Sequence, residues 1–213
     1  STETGTIYIG ATVTALHGFL FDFLDKFHSV HPNIKFKINS GSSNGTIEKL
    51  KNGIVDLAFV STPCNPSKTL NTLKIKAFDD ILIAGKNFEN LKDKLFKLSD
   101  LKDYPFVSLR HSMQLRQFLD DIFTEHGLSV TPDIEADGAD LIVPMISHNF
   151  GLGFVPRPMA EDAIARGEVF RINLETPPPE RHICMITDPH HPHTNASRLL
   201  IKTIQALKEK TAP

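Results

Sequence analysis

The stretch Thr6-Ile-Tyr-Ile-Gly-Ala-Thr-Val-Thr14, running on to Phe27, constrains the chain more than any other. Ile7 and Ile9 suit a strand, Gly10 and Ala11 let the backbone approach a neighbour closely, and Thr12 or Thr14 can cap a helix. From Leu16 the apolar residues fall at Phe19, Leu20, Phe23, Leu24, Phe27 and Val30, with Asp22, Asp25 and Lys26 elsewhere around the turn. A strand, a small-residue turn and a long amphipathic helix thus follow one another directly. A capped helix start offers free N–H groups and a positive dipole end, which favour an anion or a polar ligand.

The same pattern recurs downstream. After Pro32, Ile34, Phe36 and Ile38 alternate with polar residues as a half-exposed strand. Gly41 to Gly45 then leads into a short helix carrying Ile47 and Leu50, closed by Gly53. Val55 to Val60 is a nearly continuous apolar run, as expected for a strand covered on both faces, and it ends at Ser61-Thr62-Pro63. Short strand-helix-strand connections imply an open α/β sheet with right-handed crossovers, so the three polar turns should meet at its carboxyl edge.

The chain is expected to cross at 78–84 into a second lobe and to return along Arg181 to Thr187. In between, Phe106 to Leu109 reads as a strand, Arg110-His-Ser112 as a turn, and Leu115 to Phe123 as a helix capped by Gly127. Ile134 to Ala136 is a short strand; Asp137 can cap the next helix, which Pro144 should kink. Gly151 to Pro156 is a buried strand, Pro158 to Arg166 a helix and Val169 to Ile172 another strand. Leu200, Ile201, Ile204 and Leu207 form the inner face of a last helix. The lobes are assigned as 1–78 with 184–213, and 79–183.

Composition narrows the function. With 213 residues, 40% of them hydrophobic, the chain can bury a substantial core. A net charge of -2 with interspersed signs provides no basic stripe for nucleic acid. Cys64 and Cys184 have no paired-ligand spacing, which argues against zinc and against a disulfide framework, and fits a reducing cytoplasm. No apolar run reaches membrane-spanning length, and the start lacks the features of a signal peptide.

No catalytic constellation stands out: there is no G-x-S-x-G elbow and no HExxH, and Gly151-Leu-Gly153 enters a strand instead of leaving one. An enzyme is therefore not expected, nor a cofactor or a metal. His190-His-Pro-His193 reads as a solvated loop. Arg110 is the only arginine at a strand-to-helix turn, where it could clasp a carboxylate or form a surface ion pair. Thr12, Thr14, Ser42, Ser43 and Thr62 could each be simple caps, but their convergence favours a ligand site.

Taken together, Ile7 to Ala15, Pro32 through Ser43, Leu50 to Ala58, Leu101 to Pro105, Asp140 to Pro144 and Gly151 to Pro156 closely resemble the effector-binding domain of a LysR-type transcriptional regulator. The resemblance implies a type 2 periplasmic-binding-protein-like fold: two Rossmann-like α/β lobes joined by two crossover strands, with a small-molecule site between them. The family's N-terminal winged helix-turn-helix lies outside this sequence, so DNA would be reached only through that missing domain.

Carried over by position, the resemblance implies ligand contacts from Ala11, Thr12, Thr14, Ser42, Ser43, Ser61 and Thr62 in the first lobe. Ser108 and Arg110 would answer from the second, with Phe154 and Pro156 as an apolar wall. It also implies a homodimer of this domain, the helix at Phe19 to Val30 and the strand at Ile34 to Ile38 meeting a partner's helix at Met113 to His126, and a tetramer of the full-length protein. The expected ligand is a small anionic metabolite, and Thr12→Ala should weaken its binding while leaving folding nearly intact. The alternative is an extracytoplasmic solute-binding protein of a transporter, which would share the fold.

Overall fold

The computed structural model describes residues 2–211. In chain order the elements are β1 (Gly5–Ala11), α1 (Val13–Ala15), a π-helical turn (Leu16–Leu20), α2 (Phe21–Val30), β2 (Ile34–Ser40), α3 (Ser43–Lys51), β3 (Leu57–Ser61), β4 (Asn71–Phe78) and β5 (Asp80–Gly85). There follow β6 (Leu95–Phe96), β7 (Val107–Leu109), α4 (Gln114–Glu125), β8 (Ile134–Ala136), α5 (Ile142–Ser147), β9 (Gly153–Pro156) and α6 (Arg157–Ala165). The chain closes with β10 (Val169–Arg171), β11 (Asn173–Leu174), β12 (Arg181–Thr187) and α7 (Asn195–Thr211). Two compact units result, Ser1–Ala77 with His182–Pro213, and Phe78–Arg181.

The first unit is built on a five-stranded sheet in the order β2-β1-β3-β12-β4. Strands β2, β1 and β3 run parallel, with Ile9 beside Ile38 on one side and Leu57 on the other, while β12 joins β3 antiparallel. A parallel pair cannot close through a hairpin, so the helical run after β1 and then α3 make the crossovers. Phe23, Leu24 and Phe27 of α2 are buried, and burying each contributes about 1.5–3 kcal/mol. Phe23 stacks at 5.3 Å on Phe19 and at 5.8 Å on Phe27.

Three details depart from the periodic reading. The helix carries a π-helical turn at Leu16–Leu20, where the Gly18 carbonyl accepts a hydrogen bond from Lys76 Nζ at 2.9 Å, so an acceptor leaves the regular ladder for a side chain. Val30, the last residue of α2, is 60% exposed and Leu207 on α7 is 44% exposed, where the apolar spacing places both on the inner face. Gly10 is needed because a Cβ there would stand 2.8 Å from Thr46 Cγ2, so the close approach is to α3 and not to a ligand.

In the second unit, β5 is the centre of a three-stranded antiparallel sheet in the order β10-β5-β9. Strands β7 and β8 pair in parallel, Ser108 beside Glu135, and a bridge between Phe106 and Leu152 ties them towards β9. One core contains Phe106, Leu119, Phe123 and Phe154, and a second contains Ile81, Val107, Ile142 and Val155. Pro144 does not kink a helix. Because α5 begins at Ile142, the proline falls in its first turn, where the missing N–H has no intrahelical acceptor to lose. Nor does Asp137 cap: a short 3-10 turn at Ala139–Leu141 precedes α5, with Gly138 at its cap and no side-chain bond.

Candidate functional site

In the first unit the three polar turns do meet at the carboxyl edge of β1, β2 and β3. The Gly41 N–H donates to the Ala11 carbonyl at 3.1 Å and the Thr12 N–H to the Phe59 carbonyl at 3.0 Å, which sets the turns side by side. The Thr12 hydroxyl accepts the Ala15 N–H at 3.1 Å, capping the helix, and shares a hydrogen bond with Ser61 Oγ at 2.8 Å. Ser43 Oγ donates to the Ser61 carbonyl at 2.9 Å and accepts the Ser61 N–H at 3.2 Å. Ser42 caps α3 by accepting the Gly45 N–H, and Thr62 Oγ1 accepts the His182 N–H at 2.8 Å.

These bonds sort the candidates. Thr12, Ser42, Ser43, Ser61 and Thr62 each have hydroxyl groups engaged in holding the turns, and Ala11 is fully buried. Thr14 differs: it is 6% exposed, yet its hydroxyl has no hydrogen-bond partner among the described residues. Beside it the Val13 and Thr14 N–H groups are the free donors of the first helical turn. Thr12→Ala is therefore a poor probe of ligand contact, because removing an N-cap costs about 1 kcal/mol of stability by itself.

In the second unit, Ser108 lies on β7 and Arg110 just beyond it. Ser108 is 4% exposed and its hydroxyl is likewise unpartnered among the described residues. With Leu115, Leu119, Ile142, Phe154 and Pro156 it lines a shallow recess of about 10 Å³, no more than room for a water molecule. Phe154 is also a core residue, its ring 6.4 Å from that of Phe106 and 6.1 Å from that of Phe123.

The Arg110 N–H is bound to the Ala136 carbonyl at 2.8 Å, and its carbonyl accepts the Met113 N–H at 2.9 Å, so the backbone is fixed. Its guanidinium is exposed and has no carboxylate partner among the described residues. The turn opens α4, whose cap residue Met113 supplies no side-chain acceptor, so the first-turn N–H groups stay free. Gln114 Oε1, at the same helix start, is buried without a partner among the described residues. A guanidinium, a helix start and the hydroxyl of a buried serine thus follow one another closely at the end of β7, and these are groups able to bind a small anion.

Sequence reasoning missed Arg116, which is buried and grips this turn. Its Nη1 donates to the Leu109 carbonyl at 2.9 Å and to Glu135 Oε2 at 2.9 Å, and its Nε donates to both Asp120 oxygens at 3.0 Å. The spacing of Arg116 and Asp120, four residues apart on a helix, was the available signal. A larger hollow of about 420 Å³, lined by Lys86, Glu89, Lys92, Phe170 and Arg171 among others, contains none of the candidate residues.

The remaining reactive groups play structural parts. Burial raises the Cys64 thiol, and burial followed by the nearby Cys64 pushes Cys184 up to about 11. Such thiols stay protonated near neutrality and behave as small apolar side chains. Asp188 anchors the histidine loop, accepting the His190 N–H at 2.9 Å, His190 Nδ1 at 3.2 Å and His191 Nδ1 at 2.8 Å. No group of three or more His, Cys, Asp or Glu suited to a metal occurs among the described residues.

Burial acts to raise the Asp188 carboxyl, but the His190 N–H and then the His191 and His190 rings outweigh it and hold the group below its ordinary value. A depressed native value contributes stability above the unfolded pKa of about 3.9, and that stability is lost as pH falls through the native value. Melting temperatures from pH 6 to pH 3 should therefore fall less steeply at the acid end for Asp188→Asn than for the parent. Parallel curves would refute this role for Asp188.

The sequence matches the LysR substrate binding domain over residues 1–208, and the chain belongs to that family. Among its relatives, the transcriptional dual regulator GltC of Bacillus subtilis is 27% identical over 85% of this chain and 60% of the relative. The HTH-type transcriptional activator IlvY of Haemophilus influenzae is 28% identical over 84% of this chain and 63% of its own length. The chain thus spans a little under two thirds of these regulators.

Two solved structures share the fold. The effector-binding domain of QuiR in complex with shikimate superposes with a TM-score of 0.84 at 20% identity, covering 99% of this chain and 100% of that one. The regulatory domain of Synechocystis PCC6803 CcmR in complex with 2-PG gives 0.84 at 17% identity, covering 98% and 99%. Both are LysR-type effector domains, whose type 2 periplasmic-binding-protein-like fold this chain adopts.

Proposed function

We propose that the chain is the effector-binding part of a cytoplasmic LysR-type transcription regulator, and that its ligand is a small anionic metabolite. The observation that carries the ligand class is the exposed Arg110, just before the uncapped start of α4, and the hydroxyl of buried Ser108, both without a side-chain partner among the described residues. Thr14 and the free N–H groups after β1 are the corresponding contacts of the first unit. Ala11, Thr12, Ser42, Ser43, Ser61 and Thr62 shape that turn and supply backbone to it, and Phe154 and Pro156 face the ligand's apolar side. A metabolite with different affinity for two states of the domain would bias the DNA-binding segment outside this sequence.

The relatives are transcription regulators, which favours this reading over a transporter's solute-binding protein. A second copy is the expected partner: Phe21 on α2 and Ile38 on β2 are large apolar side chains left exposed, and they support a homodimer through these two elements; a tetramer is expected of the full-length protein. No helix among the described residues is long and apolar enough to cross a membrane.

A thermal-shift screen with shikimate, 2-PG and other small carboxylates and phosphates tests the ligand class. A ligand present at 100 times its Kd stabilises the native state by about 2.7 kcal/mol, a rise in Tm of roughly 5–10 °C for a chain of this size. At least one small anion should produce such a rise. A response confined to neutral sugars or amines would refute the anionic class.

A further inference from the structure

We propose that Arg116 is a positioning residue for ligand recognition, acting through the turn that carries Arg110; the inference rests on the reading of Arg110 as a ligand contact. Its guanidinium joins three elements at once. Nη1 donates to the Leu109 carbonyl and to Glu135 on β8, and Nε donates to both oxygens of Asp120 one turn further along α4. Leu109 is the last residue of β7, flanked by the Ser108 hydroxyl and the Arg110 guanidinium, both unpartnered among the described residues.

Fixing the Leu109 carbonyl fixes the peptide plane from which Arg110 departs. Neighbouring contacts hold the next residue: Gln117 Nε2 donates to the His111 carbonyl at 3.4 Å, and His111 Nδ1 lies 3.5 Å from Asp120 Oδ2. One face of α4, formed by residues 116, 117 and 120, therefore grips 109–111 and leaves the Arg110 side chain outside the grip. Only a planar fork reaches a carbonyl and two carboxylates lying in different directions, and a lysine cannot keep all three. A preorganised turn binds more tightly because less ordering remains to be done when the ligand arrives.

The test is a double-mutant cycle on the whole chain, with inorganic phosphate as the probe and NMR shifts of the Arg110 Nε–H and the Gln114 to Arg116 amides as the readout. Arg116→Lys should raise the phosphate dissociation constant at least about fivefold, while the same change in an Arg110→Ala background should add nothing further. Unchanged binding in Arg116→Lys would overturn the proposal, and so would an equal loss with and without Arg110, which marks a merely structural role. Absence of phosphate-dependent shifts at Arg110 in the parent would overturn the underlying reading of the turn. If Arg116→Lys does not fold, Glu135→Gln, which alters a half-exposed partner, should still weaken binding about twofold.

Discussion

Replacing Arg181 with alanine should lower the stability of the protein by about 3–5 kcal/mol, read as a shift in the midpoint of urea unfolding. Arg181 opens β12 and Asp80 opens β5, and their side chains are 4% and 1% exposed. Nε and Nη2 each donate at 2.6 Å to the two oxygens of the Asp80 carboxylate, forming a forked pair. The guanidinium also lies over two rings, 4.5 Å from the centre of Phe78 and 5.3 Å from that of Phe118.

Removing the cation leaves a buried carboxylate without its forked partner and strips both rings of theirs. The pair itself need not be strongly stabilising, since desolvation of both charges offsets much of their attraction. Asp80→Leu with Arg181→Met should therefore recover most of the loss. A single-variant cost below about 1 kcal/mol would contradict the buried pairing.

Phe154→Ala should cost about 3–5 kcal/mol, whereas Phe154→Leu should cost less than about 1.5 kcal/mol. The resemblance to the family casts this residue as a wall of the ligand site, and it does line the recess beside Ser108. It is nevertheless 5% exposed and embedded in the cluster with Phe106 and Phe123, so truncation opens a cavity in the core before any ligand is involved. Thermal and chemical unfolding of the two variants separate these roles. A loss under about 1.5 kcal/mol for the alanine variant would show that the ring belongs to the site and not to the core.

The local architecture was legible because it is written in short-range patterns. The strand, turn and helix from β1 to α2, the parallel order inferred from short crossovers, and the glycine after α3 all rest on residues a few positions apart. What escaped depends on distant partners. Asp80 and Arg181 are 101 positions apart, and Ser61 meets Thr12 at a separation of 49, so nothing in the chain near either residue announces the bond.

The candidate site shows the same division. Convergence of the first three turns followed from topology, but which hydroxyl stays free depends on contacts that only the folded chain makes. Thr12 and Thr14 look equivalent in sequence, yet the first holds the turn together and the second keeps its hydroxyl unpartnered. Sequence alone leaves Arg110 between a ligand residue and an ion-pair residue, because whether a carboxylate lies beside it depends on the folded chain; none does among the described residues.

The most direct test of the effector reading is calorimetric titration of the small anion that most raises Tm into the parent, Arg110→Ala and Thr14→Val. A hydrogen bond to a charged group contributes about 1.5–3 kcal/mol and a neutral one about 0.5–1.5 kcal/mol. The Kd should therefore rise roughly 10- to 100-fold for Arg110→Ala and up to about tenfold for Thr14→Val, with unfolding midpoints close to the parent's. Affinity unchanged in both variants would contradict the proposal that Arg110 and Thr14 contact the ligand.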